Sequence, residues 1–133
     1  MKRLLVLIAV LFAAMLIGMP APASTSAAEG ATKQRAAVKF DQPVIVMGVT
    51  LKGDYLFVHD DAAMARGDAC TFVYKGNAEV RDNLIVAFHC TPKERVKVGY
   101  FTLRSSLTPS GQQLTEFQFA GSTEGHLVPV AVE

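Results

Sequence analysis

A chain of 133 residues with 13 Lys and Arg against 12 Asp and Glu is close to neutral, and that balance supplies no concentrated basic field for nucleic acid. The length is enough for one domain with a single core and too short for two. Half of the residues are apolar, but part of that excess sits in the first twenty positions, so the domain itself is less apolar than the whole-chain figure.

Those first positions set the compartment. Lys2-Arg3 precedes an unbroken apolar run of 14 residues, Leu4 to Ile17, and then Gly18-Met19-Pro20-Ala21-Pro22-Ala23. A positive start, an apolar stretch and a small-residue A-x-A site make a secretory signal peptide. The run falls short of the roughly 20 residues a spanning helix needs. Residues 1–23 are therefore expected to be removed after Ala23, with Ala27 or Ala28 as alternative cuts, leaving an exported, periplasmic or secreted chain with no stable membrane span. No cysteine follows the apolar run, so a lipoprotein anchor is unsupported. The mature chain of 110 residues carries 11 basic and 12 acidic groups.

Residues 24–37, S-T-S-A-A-E-G-A-T-K-Q-R-A-A, are small and polar and read as a flexible leader. Residues 38–133 read as a single β-domain. Its runs are V-K-F (38–40), V-I-V-M-G-V-T-L (44–51), Y-L-F-V-H (55–59), C-T-F-V-Y (70–74), L-I-V-A-F-H-C (84–90), V-K-V-G-Y-F-T-L (96–103), L-T-E-F-Q-F-A (114–120) and L-V-P-V-A-V (127–132). Turn residues separate them at Gly53-Asp54, Lys75-Gly76-Asn77, Asp82-Asn83, Thr91-Pro92 and Pro109-Ser110-Gly111. Seven or eight short strands at this spacing predict an all-β fold, an antiparallel β-sandwich or partly open β-barrel. Between two of the strands, Asp60 to Gly67 predicts one short helical turn near 61–66, with an Asp at the N-cap and Gly67 at C′.

The stretch from Val38 to Val58 resembles small exported bacterial proteins, notably of acidobacteria, that open F-x-x-P-V-x-V-x-G-x-x-L-x-x-G-x-Y-x-F. The matching positions are Phe40, Pro43, Val44, Val46, Gly48, Leu51, Gly53, Tyr55 and Phe57. They are strand and turn residues, so the resemblance implies an exported β-domain and carries over no site.

Two cysteines in an oxidising compartment read first as a disulfide. A hairpin of 70–74 with 84–90 that pairs Cys70 with Cys90 also pairs Phe72 with Phe88 and Tyr74 with Val86, all on one apolar face. A Cys70–Cys90 crosslink across 19 intervening residues would add about 3 kcal/mol by the chain-entropy account. His89 projects to the opposite face from Cys90, which argues against a thiol-histidine dyad. His59, His89 and His126 are the candidate metal ligands, with Asp60, Asp61 or Glu124 nearby. Their spacing contains no H-x-H or H-x-x-x-H element and so does not demand a metal; histidines partly exposed at strand ends are the plainer expectation.

The remaining polar groups suggest less. Asp60, Asp61 and Asp68 lack the alternating ligands of a calcium loop. Gly121 to His126 has no following helix or G-K-[ST] ending to hold phosphate. Pro92-Lys93-Glu94-Arg95 reads as a solvated turn and edge. No catalytic group and no cofactor are expected. The leading function is an exported, non-enzymatic binding or interaction domain with a protein or cell-envelope partner, its ligand unspecified. The alternative is a small metal-binding protein or enzyme using His59, His89 and His126 with nearby carboxylates.

Overall fold

Met47 and Gly48 both have positive φ, 50° and 77°, the signature of a two-residue type I′ hairpin turn. The run 44–51, expected as one strand, is therefore the tip of a long hairpin. The computed structural model describes residues 32–131; the expected signal peptide, the expected cleavage sites and the expected leader up to residue 31 lie outside the described residues. Strand β1 (Lys33–Val46) pairs antiparallel with β2 (Val49–Asp60). Residues 33–37, assigned above to the leader, belong to this ladder, with Gln34 opposite His59 and Ala36 opposite Phe57. The register shifts between Phe40 and Val44, opposite Gly53 and Leu51. That bulge takes up Pro43, which has no N–H to give a ladder, and Gly53, whose φ is 95°. The chain thus bends at Gly53-Asp54 without turning. The positions that carry the resemblance lie along this hairpin, with Phe40, Val46, Leu51, Tyr55 and Phe57 in the core.

Helix α1 (Asp61–Ala65) follows, capped as expected: Asp60 Oδ1 accepts from the Ala62 and Ala63 N–H groups at 3.0 and 3.2 Å, and Gly67 takes the left-handed position at φ 78°. Then come β3 (Thr71–Lys75), a 3-10 turn at Arg81–Asn83, β4 (Leu84–Phe88), β5 (Thr91–Glu94), β6 (Thr102–Thr108), β7 (Gly111–Gln118) and β8 (Glu124–Leu127). The strand order is β4-β3-β2-β1-β7-β8-β5, with β6 paired to β7 off this path. All pairings are antiparallel except the contact of β1 with β7, where Ile45 lies opposite Gln113 in parallel sense. The expected all-β, partly open barrel is present as an eight-stranded curled sheet, a half-barrel.

The curl follows from chain length. Strands β4 and β5 lie at opposite ends of the path, yet only His89 and Cys90 separate them. Two residues let Phe88 and Thr91 stand at most about 10 Å apart. Seven flat strands would place the outer two about 29 Å apart, so the sheet rolls until its ends meet. The interior is filled by aromatic rings: Phe57 and Phe117 lie 5.6 Å apart and Phe88 and Phe117 6.4 Å apart, centre to centre.

The β3–β4 register corrects the expected one. Thr71 faces Phe88, Phe72 faces Ala87 and Val73 faces Val86, one residue out from a Cys70–Cys90 pairing. Such a slip exchanges faces. Phe72 and Tyr74 accordingly pack outside with Leu56 and Val58, while Thr71 and Val73 are buried.

The other outer face holds a buried polar group. A shift in the β6–β7 pairing sets Thr115 between Leu114 and Glu116 as an extra residue, so that Leu114 and Phe117 both reach the core. Glu116, 2 % exposed, accepts from Arg95 Nε and Nη2 at 2.7 and 2.9 Å and from Arg104 Nη1 at 3.2 Å. Gln118 Nε2 donates to the Val96 and Ser122 carbonyls, each at 2.8 Å. Residues 96–101, the start of the expected 96–103 strand, are thereby held with Arg95 across β7 as an irregular strap. Gly125 lies beneath the pair, where a Cβ would run into the Glu116 carboxylate.

Burial pushes the Glu116 carboxyl up, but the Arg95 hydrogen bonds and the charges of Arg104 and Arg95 outweigh it and leave the group below its usual 4.5. A carboxyl depressed in the folded state contributes stability above its unfolded value and loses it as pH falls through the folded one. Glu116→Gln is expected to cost about 2 kcal/mol near neutrality and progressively less below the usual value. Urea unfolding of both proteins across that range checks this, and an equal deficit at every pH would refute it.

Candidate metal centre

The alternation along β2 carries Tyr55, Phe57 and His59 to the interior, with His59 fully buried at the strand's end. His126 enters from β8, where it pairs with Phe117 and takes the same inward direction. Cys90 comes from the link between β4 and β5, and is 8 % exposed. The rolled sheet brings these three together although 31 residues separate the first two and 36 the last two.

The His59 and His126 rings lie 4.1 Å apart, centre to centre. Phe117 stacks on His126 at 5.0 Å and Phe119 meets its edge at 5.9 Å. Cys90 Sγ is 3.6 Å from His126 Nδ1. One donor atom from each of His59, Cys90 and His126 falls within a 4.8 Å spread. With metal bonds of about 2.0 Å to nitrogen and 2.3 Å to sulfur, donors in a tetrahedral site stand about 3.5 Å apart. Closure around an ion requires side-chain adjustments of an ångström or so.

Polar satisfaction is poor here. His59 Nδ1 approaches Asp61 Oδ1 at 3.1 Å, but without the alignment of a hydrogen bond. Both His59 nitrogens, His126 Nε2 and Thr71 Oγ1 are buried without hydrogen-bond partners among the described residues. Each such group costs about 1 to 3 kcal/mol when left unmade, and native interiors contain few of them.

The charge states follow from the dry surroundings. Burial pushes the His126 imidazole down to about 4, helped by the neighbouring His59 and opposed by Asp61 and Glu116. His59 is lowered chiefly by burial, against the pull of Asp61, Glu124 and Asp60. Burial, then the Cys70 contact, raises the Cys90 thiol to about 12, against Thr71 and its own backbone N–H. Neutral imidazoles are ready ligands; the thiol becomes one by giving its proton up to a metal.

Cys70 and Cys90 are free cysteines whose sulfurs lie 3.0 Å apart, beyond the roughly 2.05 Å of a bonded pair. The structure does not carry the Cys70–Cys90 disulfide expected from the sequence. The one-residue register shift leaves Cys70 just before β3 and Cys90 two residues past β4, off the ladder on both sides. Cys90 N–H donates to Cys70 Sγ at 3.3 Å, and Cys70 N–H to the Phe88 carbonyl at 3.1 Å.

Of the three candidate histidines, His59 and His126 meet in the core instead of standing partly exposed. His89 is exposed where Cys90 is buried, and it takes no part in the cluster. The signal for His59 was its parity with Tyr55 and Phe57. None existed for Cys90 as its companion, since the sheet's closure makes that contact. Asp60 is occupied as a cap, and Asp68 pairs with Arg66 at 3.0 Å. The 121–126 loop forms a turn at Gly121, with φ 78°, and then enters β8. Pro92, Lys93 and Glu94 lie on β5, an exposed edge strand.

Comparison with protein-family models, with curated proteins and with solved structures finds no match, so the chemistry is read from the residues. Two imidazoles and a thiol make a nitrogen and sulfur donor set, suited to borderline or soft ions and unsuited to calcium or magnesium.

In the metal-free protein, histidine NMR is expected to show His126 titrating near 4 and His59 below its ordinary value. Because the unfolded chain then binds more protons than the folded one, metal-free stability falls as pH drops from 6.5 towards the His126 value of about 4. His59 and His126 titrating at the ordinary imidazole value would contradict the buried cluster.

Proposed function

We propose that this chain is an exported metal-binding domain that holds one ion of the Zn(II) or Cu(I) class through His59, Cys90 and His126. The observation that carries the reading is the convergence of three donor residues in a closed interior where imidazole nitrogens lack hydrogen-bond partners. A metal ion would take one nitrogen of each ring as a ligand and so supply a partner where hydrogen bonds do not. Asp61, close to His59 Nδ1, is positioned as the outer carboxylate that commonly orients a ligating imidazole. The reading is one of binding, because His59 and His126 are 0 % exposed and a catalytic metal keeps a position open to substrate. Export is supported by the signal-like opening and the resemblance of the first hairpin to exported proteins. The reading selects the metal-binding alternative over an interaction domain of unspecified ligand, and replaces His89 with Cys90 in the set.

The test is a titration of the reduced protein with Zn(II), and with Co(II) as a coloured substitute. One equivalent is expected to bind, with a sulfur-to-cobalt charge-transfer band, and to raise the unfolding free energy by about 2.7 kcal/mol at free metal a hundredfold above Kd. His126→Phe, which keeps the stacking with Phe117, and Cys90→Ser should each abolish stoichiometric binding. Unchanged binding in folded variants would exclude the assignment.

A further inference from the structure

The contact of Cys70 with Cys90 gives the centre a second state. Cys70 lies outside the three-residue donor set, yet its sulfur is the nearer neighbour of Cys90, at 3.0 Å against 3.6 Å for His126 Nδ1. Bond formation needs about 1 Å of sulfur movement; Cys70 is held by backbone bonds to Asp60 and Phe88, and Cys90 lies between β4 and β5, outside both strands. A Cys90 sulfur that is half of a disulfide no longer offers the thiolate a metal requires.

We infer that Cys70 and Cys90 form a peroxide-sensitive dithiol whose oxidation expels the metal. This rests on the metal-binding reading above. Peroxide oxygen is transferred to one sulfur, giving a sulfenic acid, while the O–O bond breaks and the other oxygen leaves as water. The second sulfur then attacks the first; the S–S bond forms and the transferred oxygen leaves as a second water. The two sulfurs lose two electrons and the peroxide gains them. Starting from metal-bound Cys90 thiolate and the Cys70 thiol, one proton comes from solvent and the divalent ion is released. A dithiol reductant reverses the change and restores the ligand.

Access favours a small oxidant. Cys70 and Cys90 are 1 % and 8 % exposed, which hinders a bulky disulfide reagent. Cys90 lies where the two ends of the strand path meet, and β4 and β5 are not hydrogen-bonded to each other. Local opening at that seam breaks no inter-strand ladder. The surroundings hold the two sulfurs together: Cys70 Sγ lies 3.9 Å from the Phe88 carbonyl, and the Cys90 N–H donates to the Cys70 sulfur.

The experiment treats zinc-loaded protein with hydrogen peroxide, follows release with a chromogenic zinc chelator and weighs the product by intact mass. One zinc released per chain is expected, together with a loss of about 2 Da, and zinc binding should return after dithiothreitol. Cys70→Ser and Cys70→Ala are both expected to bind zinc with wild-type stoichiometry but to release it more slowly, adding oxygen mass instead of losing hydrogen. Equal release rates in wild type and either folded variant, or disulfide formation with zinc retained, would overturn the inference and leave metal binding standing. Failure of the reduced wild-type chain to take up zinc would overturn both.

Discussion

The two-residue connection between Phe88 and Thr91 governs this molecule. It joins the first and last strands of the seven-strand path, and no flat sheet can satisfy it. Rolling makes the interior, and it also decides which residue of the connection goes inside. His89 is left in solvent while Cys90 enters the core. The same closure carries His59 and His126, from strands separated in the path by β1 and β7, to within 4.1 Å of each other. Fold and site therefore share one geometric cause.

Inside the roll, aromatic packing and polar ligation compete for the same space. Phe57, Phe117 and Phe119 form a dry wall, and His126 stacks against it as another ring. A phenyl group in that place would have no unmet hydrogen bonds. The imidazoles do, and unmet polar groups in so apolar a setting are what single this cluster out from the core around it. On the outer side of β7, Glu116 presents the opposite case: a buried charge whose oxygens are all taken up by arginines. The contrast between satisfied and unsatisfied polar groups separates architecture from chemistry here.

The β class, the capped turn at Asp60 to Gly67 and the opposite burial of His89 and Cys90 were legible in the sequence because each depends on local rules: alternation, capping and turn preference. The strand limits were less legible. Met47-Gly48 interrupts an apolar run without any of the usual Asn or Asp, and Gly53-Asp54 looks like a turn but pairs with Phe40 and Lys39 in the ladder, next to the bulge that Asp41 to Pro43 make on the facing strand. The register of β3 with β4 depended on which faces were buried, and an apolar layer on both sides of β3 makes two registers look alike. The centre itself assembles from β2, the β4–β5 link and β8, so no spacing encodes it.

That long-range assembly has a temporal consequence. His59 belongs to the first hairpin, whose partner strand is its neighbour in sequence, whereas His126 lies on the last strand, paired with β7 and with β5. Contacts of large sequence separation close late in folding. A chain that emerges from its amino end would present His59 long before its companions, and the three donors would coexist only after the last strand is seated. Occupation of the centre would then mark completed folding, with no partly built intermediate able to offer all three donors.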